Sequence, residues 1–138
     1  MLETKKMENG ILIDHICAGR SLELYSLLKL EDTNCTCIIM KNIDSKKMGK
    51  KDVIKIFDKT EINLDIIGCF DSNITINIIK NQKISKIKDI QPKKYITNVL
   101  VCKNINCITS TEPGIDHIFK LTDSKNRKYS CIYCDYSN

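Results

Sequence analysis

The chain has no tryptophan, and its 138 residues include only three phenylalanines, five tyrosines and five glycines. So few aromatics, with no cluster of arginine among them, argue against a base-stacking surface for single-stranded nucleic acid. The glycines (Gly10, Gly19, Gly49, Gly68 and Gly114) stand alone, so neither a P-loop nor a Rossmann phosphate turn is present. No apolar run approaches the roughly 18 residues of a membrane span. Met1 to Gly10 is charged and lacks an apolar signal core, so the sequence predicts a cytoplasmic protein without membrane contact. Neither of the two histidines has a serine-nucleophile pattern nearby, which leaves a hydrolase unsupported and no catalytic residue to name.

What is abundant is isoleucine. Hydrophobic residues make up 42% of the chain and charged residues 28%, a balance that suits a folded globular protein. β-Branched side chains favour strands, because they lose least freedom on a pleated surface. The formal charge is +5, and four thiolates around one Zn²⁺ would lower it to about +3. The lysines are spread along the chain, concentrating at Lys46–Lys51 and Lys83–Lys94. That spread is no blanket field for nucleic acid, but it leaves room for a local anion site.

The pattern predicts a strand over residues 10–16 and a helix over 19–30 with Ser21 as its N-cap. Strands follow at Cys35–Met40 and Val53–Phe57, joined by a polar connection from Asp44 to Lys51. A helix is predicted over 61–70, then a hairpin of strands 74–79 and 83–87 turning at Lys80-Asn81-Gln82. This β-α-β-β-α-β-β order predicts an α+β fold: one antiparallel sheet with both helices on one face. The pattern stops near Asp89–Lys94, around Pro92, so domains of 1–90 and 91–138 are expected. The second has 48 residues, a length that rarely folds without a staple.

Cysteine supplies it. Cys17, Cys35, Cys37 and Cys69 are scattered and read as small buried hydrophobes. Cys102 and Cys107 form C-x4-C, and after 23 residues Cys131 and Cys134 form C-x2-C. Two close pairs in a chain without a signal peptide point to one structural zinc ion rather than disulfides. Val99–Val101, Ile118–Leu121 and Arg127–Ser130 are expected as the strands of this small all-β unit. Four thiolates close the coordination sphere and leave no position for a catalytic water.

Elsewhere the residues speak less clearly. Asp14-His15, at the end of the first strand, could accept from hydroxyls and donate to an anion, or be a strand end with no partner. Lys55, inside a strand, ordinarily faces solvent, as do Lys83, Lys86 and Lys88. His117 reads as a surface-loop residue.

In combination the strings are specific. Ile13-Asp-His-Ile16, Met48-Gly-Lys-Lys-Asp-Val-Ile-Lys55, Ile74-Thr-Ile-Asn-Ile-Ile79, Asn98-Val-Leu-Val-Cys-Lys-Asn-Ile-Asn-Cys-Ile108, Glu112-Pro113 and Cys131-Ile-Tyr-Cys134 occur in order along nearly the whole chain. This resembles the regulatory chain of aspartate carbamoyltransferase, of pyrimidine biosynthesis. The resemblance implies a ferredoxin-like allosteric domain followed by a zinc domain that docks on the catalytic chain, with no catalysis here. It implies CTP, UTP or ATP as effectors, with Asp14 at the ribose, His15 at the ribose-phosphate side, Lys55 at base and ribose, and Asn77 beside them. The family's phosphate-binding lysine aligns with Ile87, which leaves Lys86 and Lys88 as the two candidates. A homodimer of regulatory chains is also implied. In the zinc unit, Asn104, Asn106 and Asp135 project from the two knuckles as the expected partner contacts. The competing expectation is a zinc-ribbon protein that binds nucleic acid, which C-x4-C with asparagine-rich filling fits less well.

Overall fold

The computed structural model describes residues 8–137. Strand β1 (Gly10–Cys17) leads to helix α1 (Ser21–Leu27) and one 3-10 turn at Leu30–Asp32. Then come β2 (Cys37–Ser45), β3 (Gly49–Phe57), α2 (Leu64–Phe70), β4 (Thr75–Lys80) and β5 (Lys83–Ile87). The C-terminal part contains β6 (Tyr95–Thr97), a single turn α3 (Ile108–Thr111), β7 (Ile118–Asp123) and β8 (Lys128–Cys131). The first five strands form one antiparallel sheet in the order β2-β3-β1-β4-β5, and the last three form a second in the order β6-β7-β8. The expected antiparallel α+β sheet with helices and the small, mainly β unit are both present.

Contacts divide the chain into two compact units. One runs through Asn63 and resumes over Asp71–Ile90; the other joins Leu64–Phe70 to the residues from Gln91 onward.

The register of the large sheet sorts its side chains. Ile39, Ile54, Ile13, Ile76 and Ile87 lie opposite one another in a single row, as do Cys37, Ile56, Ile11 and Ile78 in the next. Ile11, Ile13, Ile54, Ile56 and Ile76 are essentially inaccessible to water, so this face is the core. Burying each such side chain contributes about 1.5–3 kcal/mol. A one-residue slip would turn the whole isoleucine set outward.

Two bulges interrupt that register, and both face the middle of β3. In β1, Asp14 and His15 occupy the space opposite Val53 alone; in β2, Lys41 and Asn42 occupy the space opposite Asp52 alone. His15 (φ 59°) and Asn42 (φ 55°) take the left-handed conformation that such an extra residue requires.

Asp52 ties the region together. It is fully buried, and its carboxylate accepts the backbone N–H groups of Asn42 (2.8 Å), Gly19 (3.1 Å) and Ser21 (3.2 Å). The start of α1 is thus capped from β3. Ser21 is not the N-cap the sequence predicts: Arg20 holds that position without a side-chain bond, and the Asp52 carboxylate does the work from a neighbouring strand. Burial pushes the Asp52 carboxyl up, but hydrogen bonds from Ser21, Asn42 and Gly19 outweigh it and hold it below the ordinary carboxylate value.

Other elements shift too. Val99–Val101 is not a strand. Asn98 turns the chain at φ 57°, its N–H bonded to His117 O (2.7 Å), so pairing ends at Thr97 and falls to Tyr95–Thr97 instead. Val99 and Leu100 pack against the C-terminal core. The β2–β3 connection is shorter than expected, since Ser45 already pairs with Gly49. The hairpin at Lys80-Asn81-Gln82-Lys83 forms as expected, a two-residue loop with both φ positive (50° and 67°).

Asp52→Asn places an amide donor against backbone donors, and should cost about 2–3 kcal/mol in urea unfolding. Because the folded carboxyl sits below its unfolded value, the contribution is complete above about pH 4. It should disappear as pH falls through the folded value, and the Asn variant should lack that part of the acid dependence.

Candidate metal centre and sheet-face site

The second unit assembles four cysteines from two loops. Cys102 and Cys107 flank a tight turn in which Asn104 O accepts Cys107 N–H (3.0 Å) and the Ser110 hydroxyl (2.9 Å). Cys107 then opens α3, its carbonyl accepting from Ser110 and Thr111. Cys131 ends β8, and a turn bonded from Asp135 N–H to Cys131 O (2.9 Å) brings Cys134 back. The sulfurs of Cys102 and Cys134 are 3.6 Å apart, those of Cys107 and Cys131 3.7 Å, and all four lie within 4.8 Å of one another. A tetrahedral thiolate site with metal–sulfur bonds of about 2.3 Å has edges of about 3.8 Å. The four residues therefore fit one soft tetrahedral cation. With four sulfur ligands it has no open position for catalysis.

Neighbouring groups steady this site. The Thr109 hydroxyl donates to the Cys107 sulfur (3.2 Å), and His117 Nδ1 accepts the Cys102 N–H (3.2 Å). His117 is thus no free surface residue. It is half-buried and held by Asn98, whose side-chain carbonyl accepts the His117 N–H (3.0 Å). Sequence reasoning missed it because the bond joins residues distant along the chain.

The two knuckles carry both polar and apolar side chains. Asn106 and Asp135 are exposed, and the half-buried Asn104 accepts the Asn106 N–H with its side-chain oxygen (3.0 Å). Apolar side chains are exposed beside them: Ile105 is 80% exposed and Val101 63%, with Ile108, Ile132 and Tyr133 also exposed. The signal lay in the sequence, in isoleucine and valine inside the loops that carry the cysteines.

A second cluster occupies the non-core face of the large sheet. Lys55, Leu12, Asn77 and Lys86 pair directly across β3, β1, β4 and β5, which sets their side chains on one face. Asp14, two residues beyond Leu12, pairs with Thr75 in the next row. The bulge turns His15 toward the same place, with Nδ1 3.1 Å from Thr75 Oγ1. Lys51 Nζ reaches the Asp14 carboxylate at 2.8 Å. Asp14, His15, Lys55, Asn77 and Lys86 are thereby brought together. Ile87 pairs with Ile76 on the core face, and Lys88 lies one residue past the end of β5. Lys51 and Thr75 were not singled out by sequence; Lys51 shares the parity of Lys55 on β3, which was the available clue.

Burial and neighbouring charges set the electrostatics of this cluster. Burial lowers the His15 pKa, Asp14 pulls it up, and Lys51, Lys47 and Lys86 push it down, so the net shift is downward. At Asp14, burial raises the pKa, while Lys51 and His15 lower it, with a net downward result. A carboxylate beside several ammonium groups and a neutral imidazole offers an acceptor for hydroxyls and donors for phosphate.

Two family models match consecutive parts of the chain. Residues 2–91 match the family model "Aspartate carbamoyltransferase regulatory chain, allosteric domain", and residues 94–137 match "Aspartate carbamoyltransferase regulatory chain, metal binding domain". A chain named aspartate carbamoyltransferase regulatory chain from Clostridium botulinum (strain Hall) is 42% identical over 135 residues, covering 98% of this chain and 92% of that one. Proteins of the same name from Clostridium tetani and Bifidobacterium longum are 40% and 37% identical, covering 98% and 97% of this chain and 94% and 96% of their own lengths. Among the described residues, no helix is long and apolar enough to cross a membrane.

The thiolate geometry predicts one tetrahedral metal per chain. Cadmium exchanged into the reduced protein should give a single ¹¹³Cd resonance in the four-sulfur region, and Cys107→Ser should abolish it. A folded, reduced chain that takes up no metal would contradict the site.

Proposed function

The chain belongs to the aspartate carbamoyltransferase regulatory chain family, and from that premise we propose that it binds nucleoside triphosphate effectors on its sheet face and docks on the catalytic chain through its metal unit. Members of the family are regulatory rather than catalytic chains, so the transfer reaction of pyrimidine biosynthesis belongs to a separate polypeptide. The observation that carries the reading is the cross-sheet row of Lys55, Leu12, Asn77 and Lys86 beside Asp14 and His15.

On this reading the Asp14 carboxylate accepts from the ribose hydroxyls, and Lys55 with Asn77 meets base and ribose. His15, Lys51 and Lys86 face the phosphates. Lys86 takes the phosphate role over Lys88, because it lies opposite Asn77 on the site's face and inside a paired strand. CTP, UTP and ATP are the effectors of interest, acting in a homodimer of regulatory chains in the cytoplasm. The domain limits proposed are 1–90 for nucleotide and 91–138 for metal and partner.

The metal is zinc, for which four thiolates at tetrahedral corners are a usual structural set. It supplies a fixed base for the two knuckles. Ile105 and Val101, with Asn106 and Asp135 around them and Asn104 bracing the turn, form the surface offered to the catalytic chain. An apolar centre with a polar rim, on loops that lose little entropy on docking, suits a specific interface. The nucleic-acid-binding alternative has no observation of its own to carry it.

Calorimetry on the assembled enzyme tests the site. Lys55→Ala and Lys86→Ala should each weaken triphosphate binding by about 1.5–3 kcal/mol, the range for a charged hydrogen bond. Lys88→Ala should leave it within twofold. Wild-type chain showing no binding at millimolar nucleotide would reject the reading.

A bound polyanion offsets the lysines that hold His15 down, so its pKa should rise on binding. Affinity should therefore increase from pH 7.5 to 6, and His15→Gln should lose that increment relative to wild type. Equal pH profiles for the two proteins would remove His15 from the phosphate side. For docking, Ile105→Asp should prevent co-elution with the catalytic chain on gel filtration while zinc content stays at one per chain.

A further inference from the structure

Helix α2 lies inside the stretch that matches the family's allosteric domain, yet its contacts group it with the metal unit. Four observations tie it there. Gly68, in the middle of the helix, passes so close to the chain after β5 that an added Cβ would lie 2.8 Å from Gln91 O. Glycine costs a helix interior about 1 kcal/mol, and here it permits that approach. The Arg127 guanidinium, at the start of the chain entering β8, donates to Gly68 O. Asp65 pairs with Lys93 at 3.0 Å, and the hydroxyl of buried Tyr129 donates to Lys93 O at 2.7 Å. Cys69 packs on the core formed by Ile96, Phe119, Tyr129 and the ligand cysteines Cys102, Cys107 and Cys131.

Half of that core is metal ligand, and Arg127 and Tyr129 lie in the same short stretch as Cys131. The supports of α2 are therefore the residues the metal holds in order. The helix itself has seven residues, too few to persist without packing. Metal binding and folding are one event in small thiolate units, and whatever rests on such a unit shares the dependence.

We infer that α2 belongs to the metal-dependent folding unit, so that the metal site orders a helix of the allosteric domain. The coupling runs through Gly68–Gln91, Arg127–Gly68 and Asp65–Lys93, and it does not require any nucleotide.

Hydrogen exchange with mass spectrometry on the full chain tests this, comparing the zinc-loaded protein with the same protein after a chelator and reductant have removed the zinc. Amides of 64–70 should lose protection together with those of 95–131, while 49–57 and 75–80 keep theirs. Retained protection of 64–70 after 95–131 has opened would overturn the inference, as would unchanged protection in both. In the reverse direction, Gly68→Ala should speed zinc transfer to a colorimetric chelator at least threefold with all four cysteines intact. An unchanged transfer rate would also overturn it.

Discussion

Four sulfur atoms within 4.8 Å of one another are a constraint before they are a site. As thiolates they repel one another, and a cation among them offsets that repulsion. The C-terminal unit has a three-stranded sheet, one helical turn and six buried core residues, three of them ligands. The knuckle turns and the contact of His117 with Cys102 lie directly beside those sulfurs.

The large sheet is organised on a different principle. Its core face is a lattice of isoleucines that needs no metal, and its other face is mixed: Lys55, Asn77, Lys86 and Asp14 stand among Leu12 and Thr75. The two bulges let one sheet serve both purposes. Each adds a residue beside β3 without shifting the isoleucine rows, and one of them aims His15 at Thr75. The buried Asp52 carboxylate stabilises this departure by accepting N–H groups from the β2 bulge and from the start of α1.

Much of this was legible from residue types and spacing. Isoleucine periodicity marked the strands, and the cysteine pairs marked the ligands, because both patterns are local. The proposed ribose and phosphate roles rest on family resemblance, since Asp14 and Lys55 carry no local signal that separates them from a solvated strand. Lys86 and Lys88 have the same parity in sequence; the pairing of β5 with β4 includes Lys86 and stops before Lys88. The Asp52 cap was illegible, as it reaches back 31 residues to Ser21. Val99–Val101 misled in the opposite direction, its β-branched ends favouring a strand that Asn98 turns away from the sheet. The local bond from Asn106 N–H to the Asn104 side chain is likewise a turn contact that residue type alone does not specify.

Gly68 carries a consequence for mutational history. Its backbone is ordinary helix, so what excludes a larger residue there is space rather than conformation. The obstructing atom is a main-chain carbonyl, which every residue at position 91 would present equally. A change at 68 therefore has no side-chain suppressor at 91. Compensation would have to move the backbone, by altering the length or path of the segment between Ile87 and Tyr95. Lineages of this chain can be expected to keep the glycine, or to lose it only together with an insertion or deletion in that connector.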